Sequence, residues 1–112
     1  MSYIKCGVEQ FEKVMRIYLD NRPNTFSYIS GNLIERLCPE AIEEDEDRCF
    51  AILDLIIKNI HGETDVMTVT FQILETPGFE FTMAEDVLKD FDHYEDCIVF
   101  KNGATKIYHS SQ

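Results

Sequence analysis

Asp90, Asp92, His93, Glu95 and Asp96 carry four carboxylates and an imidazole within seven residues. Those are the donor types of a hard divalent cation. The spacing fails the calcium-loop pattern, however. After Asp90 and Asp92 that loop needs an oxygen ligand and a glycine, and Tyr94 and Glu95 stand there instead. The segment therefore reads as an exposed loop between a helix and a strand, with no metal and no cofactor. A second acidic run holds Glu40, Glu43, Glu44, Asp45, Glu46 and Asp47. Like charges this close repel by about a few tenths of a kcal/mol per neighbouring pair. A fold accepts such a run when solvent, a helix dipole or a partner offsets the repulsion.

Paired carboxylates are also the tools of general acid–base catalysis. With 21 acids in the chain, many pairs exist and no spacing singles one out. His61, His93 and His109 have no nucleophile or orienting acid in a recognisable pattern. No glycine-rich phosphate loop is present. The expectation is a protein that is not an enzyme, with a metal-dependent enzyme using clustered carboxylates as one alternative.

The net charge of −11 is unevenly spread. Residues 1–39 hold four acids and five bases, residues 40–96 hold seventeen acids and three bases, and residues 97–112 hold two bases and no acid. Direct nucleic-acid binding is disfavoured, because phosphate neutralisation needs a basic stripe. A segregated acidic region suits a basic protein surface, since opposite potentials speed encounter and fix orientation. The partner-binding candidates are Glu43, Glu44, Asp45, Glu46, Asp47, Asp90, Asp92, Tyr94 and Glu95, with Tyr94 as an aromatic anchor. The expected function is a small acidic, DNA-mimicking inhibitor of the immunity or phage anti-defence type. It would mask a basic surface on a nuclease or other nucleic-acid-handling protein. The second alternative is an acidic chaperone or adaptor acting as a homodimer.

Cys6, Cys38, Cys49 and Cys97 form no C-x-x-C pair and sit beside apolar residues. They read as reduced, mostly buried thiols. No apolar run reaches a membrane span, and the first residues lack a signal-peptide pattern, so a cytoplasmic protein with no membrane partner is expected.

These residues need elements to hold them. The length of 112 residues fits a single domain, 1–112. Val8, Phe11, Met15 and Tyr18 fall at helical spacing and predict a helix from Val8 to Asn21. Asn24 or Thr25 is placed to cap a second helix with Phe26, Ile29, Leu33 and Leu37 buried, ending at Pro39. A third helix follows, acidic at its start. Asp47, Ala51, Asp54 and Lys58 form its solvated face, Phe50, Leu53, Ile57 and Ile60 its apolar one, and His61-Gly62 its stop.

The period then changes. Met67, Val69, Phe71 and Ile73 alternate with Thr68, Thr70 and Gln72, predicting a strand over about 66–74. Thr82-Met83-Ala84-Glu85 reads as a capping box opening a helix over about 83–91. Asn102-Gly103 predicts the turn of a hairpin over about 96–109. The expected class is α+β: three N-terminal helices, then a small, mostly antiparallel sheet with one further helix.

Overall fold

The strand alternation expected only after residue 62 governs the chain from its start. The computed structural model describes residues 2–58, 61–101 and 106–111, the last three of these (109–111) through their backbone alone. Strand β1 (Ser2–Val8) buries Ile4, Cys6 and Val8 and exposes Lys5. A single 3-10 turn (Glu9–Phe11) and a left-handed Glu12 (φ 53°) reverse the chain into β2 (Lys13–Leu19). Then come β3 (Tyr28–Ser30), α1 (Gly31–Leu37), a second 3-10 turn (Pro39–Ala41), β4 (Ile42–Asp45) and β5 (Arg48–Lys58). The remainder is β6 (Thr64–Leu74), β7 (Phe81–Met83), α2 (Glu85–Leu88), β8 (Phe91–His93), β9 (Cys97–Phe100) and β10 (Lys106–Ser111).

The strands run in the order β4-β5-β6-β3-β7-β2-β1-β10-β9-β8. A further antiparallel pairing, Gly7 with Ile56 and Val8 with Leu55, joins β1 to β5. That contact closes β1, β2, β7, β3, β6 and β5 into a six-stranded barrel. Closure satisfies ladder groups that an open sheet would leave at an edge. Most neighbours are antiparallel, but β2–β7 and β3–β6 are parallel.

The α+β expectation is therefore wrong: the protein is mostly β, and the described residues hold two short α-helices. Each misplaced helix has a local cause. Met15, Ile17 and Leu19 alternate inward on β2, and Ile17 is fully buried. In the third expected helix, Ala51, Leu53, Leu55 and Ile57 are buried at period two. Ala51 lies on the same face as Leu53, where a helix would have separated them. The second helix is shorter than expected. Ser30 caps it by accepting from the Leu33 amide at 3.4 Å, while Ile29 belongs to β3. The fourth shrinks to one turn, and Phe91 opens β8. Strand β6 covers the one that alternation placed over about 66–74, and β9 pairs with β10 within the hairpin expected over about 96–109. The Asn102-Gly103 turn lies outside the described residues.

The capping residues changed clients. Thr82 lies in β7 and does not cap α2. Instead, the Ala84 amide donates to Ser27 Oγ at 2.9 Å and the Glu85 amide to Thr25 Oγ1 at 3.2 Å. Ser27 Oγ in turn donates to Asp86 Oδ1 at 2.7 Å, and the Ser27 amide donates to the same oxygen at 3.0 Å. The 25–27 loop thus holds α2 across 57 to 60 residues of chain. Ser27 and Ala84 are both buried. Ser27→Ala removes the acceptor for a buried amide, and its expected cost is about 1–3 kcal/mol. Chemical denaturation of the variant checks this.

Inside the barrel, Phe81 is packed between two other rings. Its centroid lies 4.9 Å from Phe71, edge to face, and 6.1 Å from Phe11. Phe11, on the first 3-10 turn, helps fill the barrel interior together with Ile4, Ile17, Ile29, Leu53 and Leu55.

Candidate functional site

The first acidic run forms a strand edge and its turn. Glu43 pairs with Phe50, Glu44 with Cys49 and Asp45 with Arg48, leaving Glu46 and Asp47 as the turn, with Glu46 at φ 54°. Glu43, Glu44, Asp45, Glu46 and Asp47 are all exposed. Among the described residues, their side chains make no hydrogen bond or ion pair. The Arg48 guanidinium leans along the strand over the Phe50 ring, 5.1 Å from its centroid.

Beside this turn lies a shallow depression of about 470 Å³. Phe26, Cys49, Ile73 and Leu74 supply its apolar surface, and Asp47 and Arg48 its rim. Phe26 is 49% exposed, a large ring left half in water. An apolar centre bounded by charge is the ordinary anatomy of a protein interface. Phe26 was expected on a buried helix face. Its exposure comes from the Asn24–Ser27 loop, whose backbone serves α2 instead of starting a helix.

The second acidic run lies elsewhere. Asp90 precedes β8, whose partner is β9 through Asp92–Val99 and His93–Ile98. The Tyr94 amide donates to the Cys97 carbonyl at 2.8 Å and closes the connecting turn. Asp92, Tyr94 and Glu95 are exposed, Tyr94 at 59%. Tyr94 borders a different depression, with His93, Leu88 and Leu19. The His93 ring nitrogen Nε2 lies 3.2 Å from the Leu88 carbonyl, so its partner is backbone. Among the described residues no three His, Cys, Asp or Glu side chains are grouped to hold a metal ion.

The nine candidate residues therefore divide into two sites. Strands β4 and β8 are the two ends of the sheet. β4 pairs with the first residues of β5 (Arg48–Ala51), while β10 pairs with the first residues of β1 (Ser2–Ile4). Because β1 and β5 are antiparallel, these extensions leave their seam at opposite ends. The sheet thus ends in acid on both sides. Charged edge strands discourage pairing with the edges of other molecules, which gives both runs a structural use. The hairpin of residues 42–51 differs in having five adjacent carboxylates, unpaired among the described residues, beside an exposed aromatic pocket.

Other polar groups are committed to the fold. Asp54 accepts from Thr68 Oγ1 at 2.6 Å and from Gln10 Nε2 at 2.9 Å, and these bonds hold its carboxyl below the usual range. Asp20 and Arg22 form an exposed ion pair at 2.7 Å.

All four cysteines are free thiols, and Cys6, Cys38 and Cys97 are buried. Burial pushes the Cys6 thiol up to about 12. Burial also raises Cys38, Cys49 and Cys97, with neighbouring acids adding to it. Since the thiolate is the reactive form, none is prepared as a nucleophile. In a titration of the native protein with an aromatic disulfide reagent, half-exposed Cys49 is expected to react first. Cys6 should react only after unfolding.

A scan against protein-family models and a search of curated proteins both return no match. The inhibitor and immunity readings therefore draw no support from relatives. Among the described residues no helix is long and apolar enough to cross a membrane.

Proposed function

We propose that this chain is a non-catalytic binding protein whose β4–β5 hairpin docks on a basic surface of a partner protein. One observation carries the reading: Glu43, Glu44, Asp45, Glu46 and Asp47 stand exposed, with no hydrogen bond or ion pair among the described residues, beside the half-exposed Phe26 pocket. The acids would steer and orient the encounter, and Phe26 would supply the desolvated contact. The surface matched by such a hairpin is rich in Lys or Arg and offers an apolar side chain for the pocket. Proteins that handle nucleic acid present basic surfaces of this kind, and occupation by the hairpin would exclude their phosphate ligands sterically and electrostatically.

Asp90, Asp92, Tyr94 and Glu95 have no part in this contact, because they leave the β1–β5 seam at the other end. The test is binding of a lysine-rich peptide containing one phenylalanine, at low and high salt, to the native chain and to a hairpin charge-reversal variant. Equal binding by both would defeat the proposal.

A further inference from the structure

The chain has ten bases and twenty-one acids, yet among the described residues one groove is lined by three lysines and no carboxylate. Lys5, Lys58 and Lys106 border a space of about 310 Å³. It opens where β1 transfers its outer edge from one strand to another. Ile4 is paired with β10, and Gly7 is paired with β5. The floor is apolar: Gly7 stands between Val14 on β2 and Ile56 on β5 in the strand register. A Cβ added at Gly7 would lie 3.4 Å from the Ile56 Cβ, so glycine keeps this floor low. Tyr108, 64% exposed, forms a wall, with the Lys106 ammonium 4.8 Å from its ring centroid.

We propose that this groove binds a small organic polyphosphate. Three lysines border one groove, with Asp96 outside its lining attracting Lys106, and their combined field favours a compact multiple anion. A singly charged ligand would leave most of that positive charge unanswered. Two linked phosphates answer it within one small group, and Lys supplies the point charges that phosphate oxygens accept from. The exposed apolar surface of Gly7, Val14 and Ile56 gives the ligand's organic body a flat place to lie. The volume is at the small end for ligand pockets, about 300–1,000 Å³. That suits a nucleoside diphosphate better than a larger molecule. The groove lies by the last residue of β5 and the acidic hairpin by its first, so this site is independent of the docking proposal.

Calorimetric titration with ADP, pyrophosphate, adenosine and a peptide of residues 40–48 tests the proposal. ADP is expected to bind more tightly than pyrophosphate, and adenosine not measurably. Lys58→Glu and Lys106→Glu are each expected to lower ADP affinity by about tenfold or more, and Lys89→Glu, a control of equal charge change, by less than about twofold. Amide shifts in the native chain should move at Gly7, Val14 and Ile56, a readout that needs no variant to fold. The proposal is overturned if ADP does not bind at millimolar concentration, or if Lys89→Glu matches the groove variants. It is likewise overturned if pyrophosphate equals ADP, or if the peptide binds more tightly and marks the groove as a contact for a second copy's hairpin.

Discussion

Phe81→Ala is expected to destabilise the fold by about 3–5 kcal/mol, whereas Phe79→Ala should cost no more than about 1 kcal/mol. The two rings are two residues apart in sequence but differ completely in surroundings. Phe81 is 1% exposed and touches Phe71 and Phe11, so truncation opens a cavity where β7 crosses the barrel. The loss includes transfer of the ring, the edge-to-face contact with Phe71 and the tilted contact with Phe11, each ring contact worth about 0.5–1.5 kcal/mol beyond burial. Phe79 is 54% exposed and lies under the Arg36 guanidinium, 4.9 Å above its ring. Domains of this size are stable by about 5–15 kcal/mol, so the Phe81 variant will be partly unfolded or melt about 10–20 °C lower. Urea unfolding of both variants checks the contrast. Equal midpoints would contradict this placement of β7.

Triple reversal of Glu43, Glu44 and Glu46 to lysine is expected to weaken binding of a basic partner by about a hundredfold. The estimate takes about 1 kcal/mol per reversed exposed contact. The variant should fold normally. It replaces side chains that make no hydrogen bond or ion pair among the described residues, and it removes like-charge repulsion along the turn. Lysine also protects an edge strand as well as glutamate does. If these acids serve edge protection alone, the variant keeps the native chain's oligomeric state and no binding is lost. If they dock a partner, the edge stays protected while affinity collapses. Surface plasmon resonance with an immobilised lysine-rich peptide separates the two outcomes. Phe26→Ala should add a further loss of about tenfold, as expected for an aromatic anchor in a pocket.

The legibility of each strand depended on what faced outward. On β6 the outward positions include Thr68 and Thr70, so alternation with Val69 and Phe71 was plain there. On β5 the outward residues include Ile52 and Ile56, 43% and 37% exposed, which blurred the pattern into a continuous apolar run. Asp54 and Lys58 then matched a helical face as well as a strand face. On β2, exposed Val14 and half-buried Tyr18 disguised the alternation of Met15, Ile17 and Leu19 in the same way.

Barrel closure had no local signal, because it rests on Gly7 and Val8 meeting residues nearly fifty positions away. The acidic runs were visible as composition. Their separation was not, since it follows from strand order. Phe26 was missed as a surface residue because the turn carrying it is fixed by Asp86, 59 residues further along the chain from Ser27. The lysine groove was invisible for the same reason, as Lys5, Lys58 and Lys106 meet only once β1 has both its outer partners.

The docking claim is tested most directly by amide chemical-shift mapping of the native chain with the lysine-rich, phenylalanine-containing peptide. Shifts confined to Phe26, residues 43–49 and residues 72–74, and fading as salt rises, are the predicted result. Shifts spread equally over residues 90–96 would mean that the peptide follows negative charge wherever it lies, and would contradict a dedicated docking face on the β4–β5 hairpin.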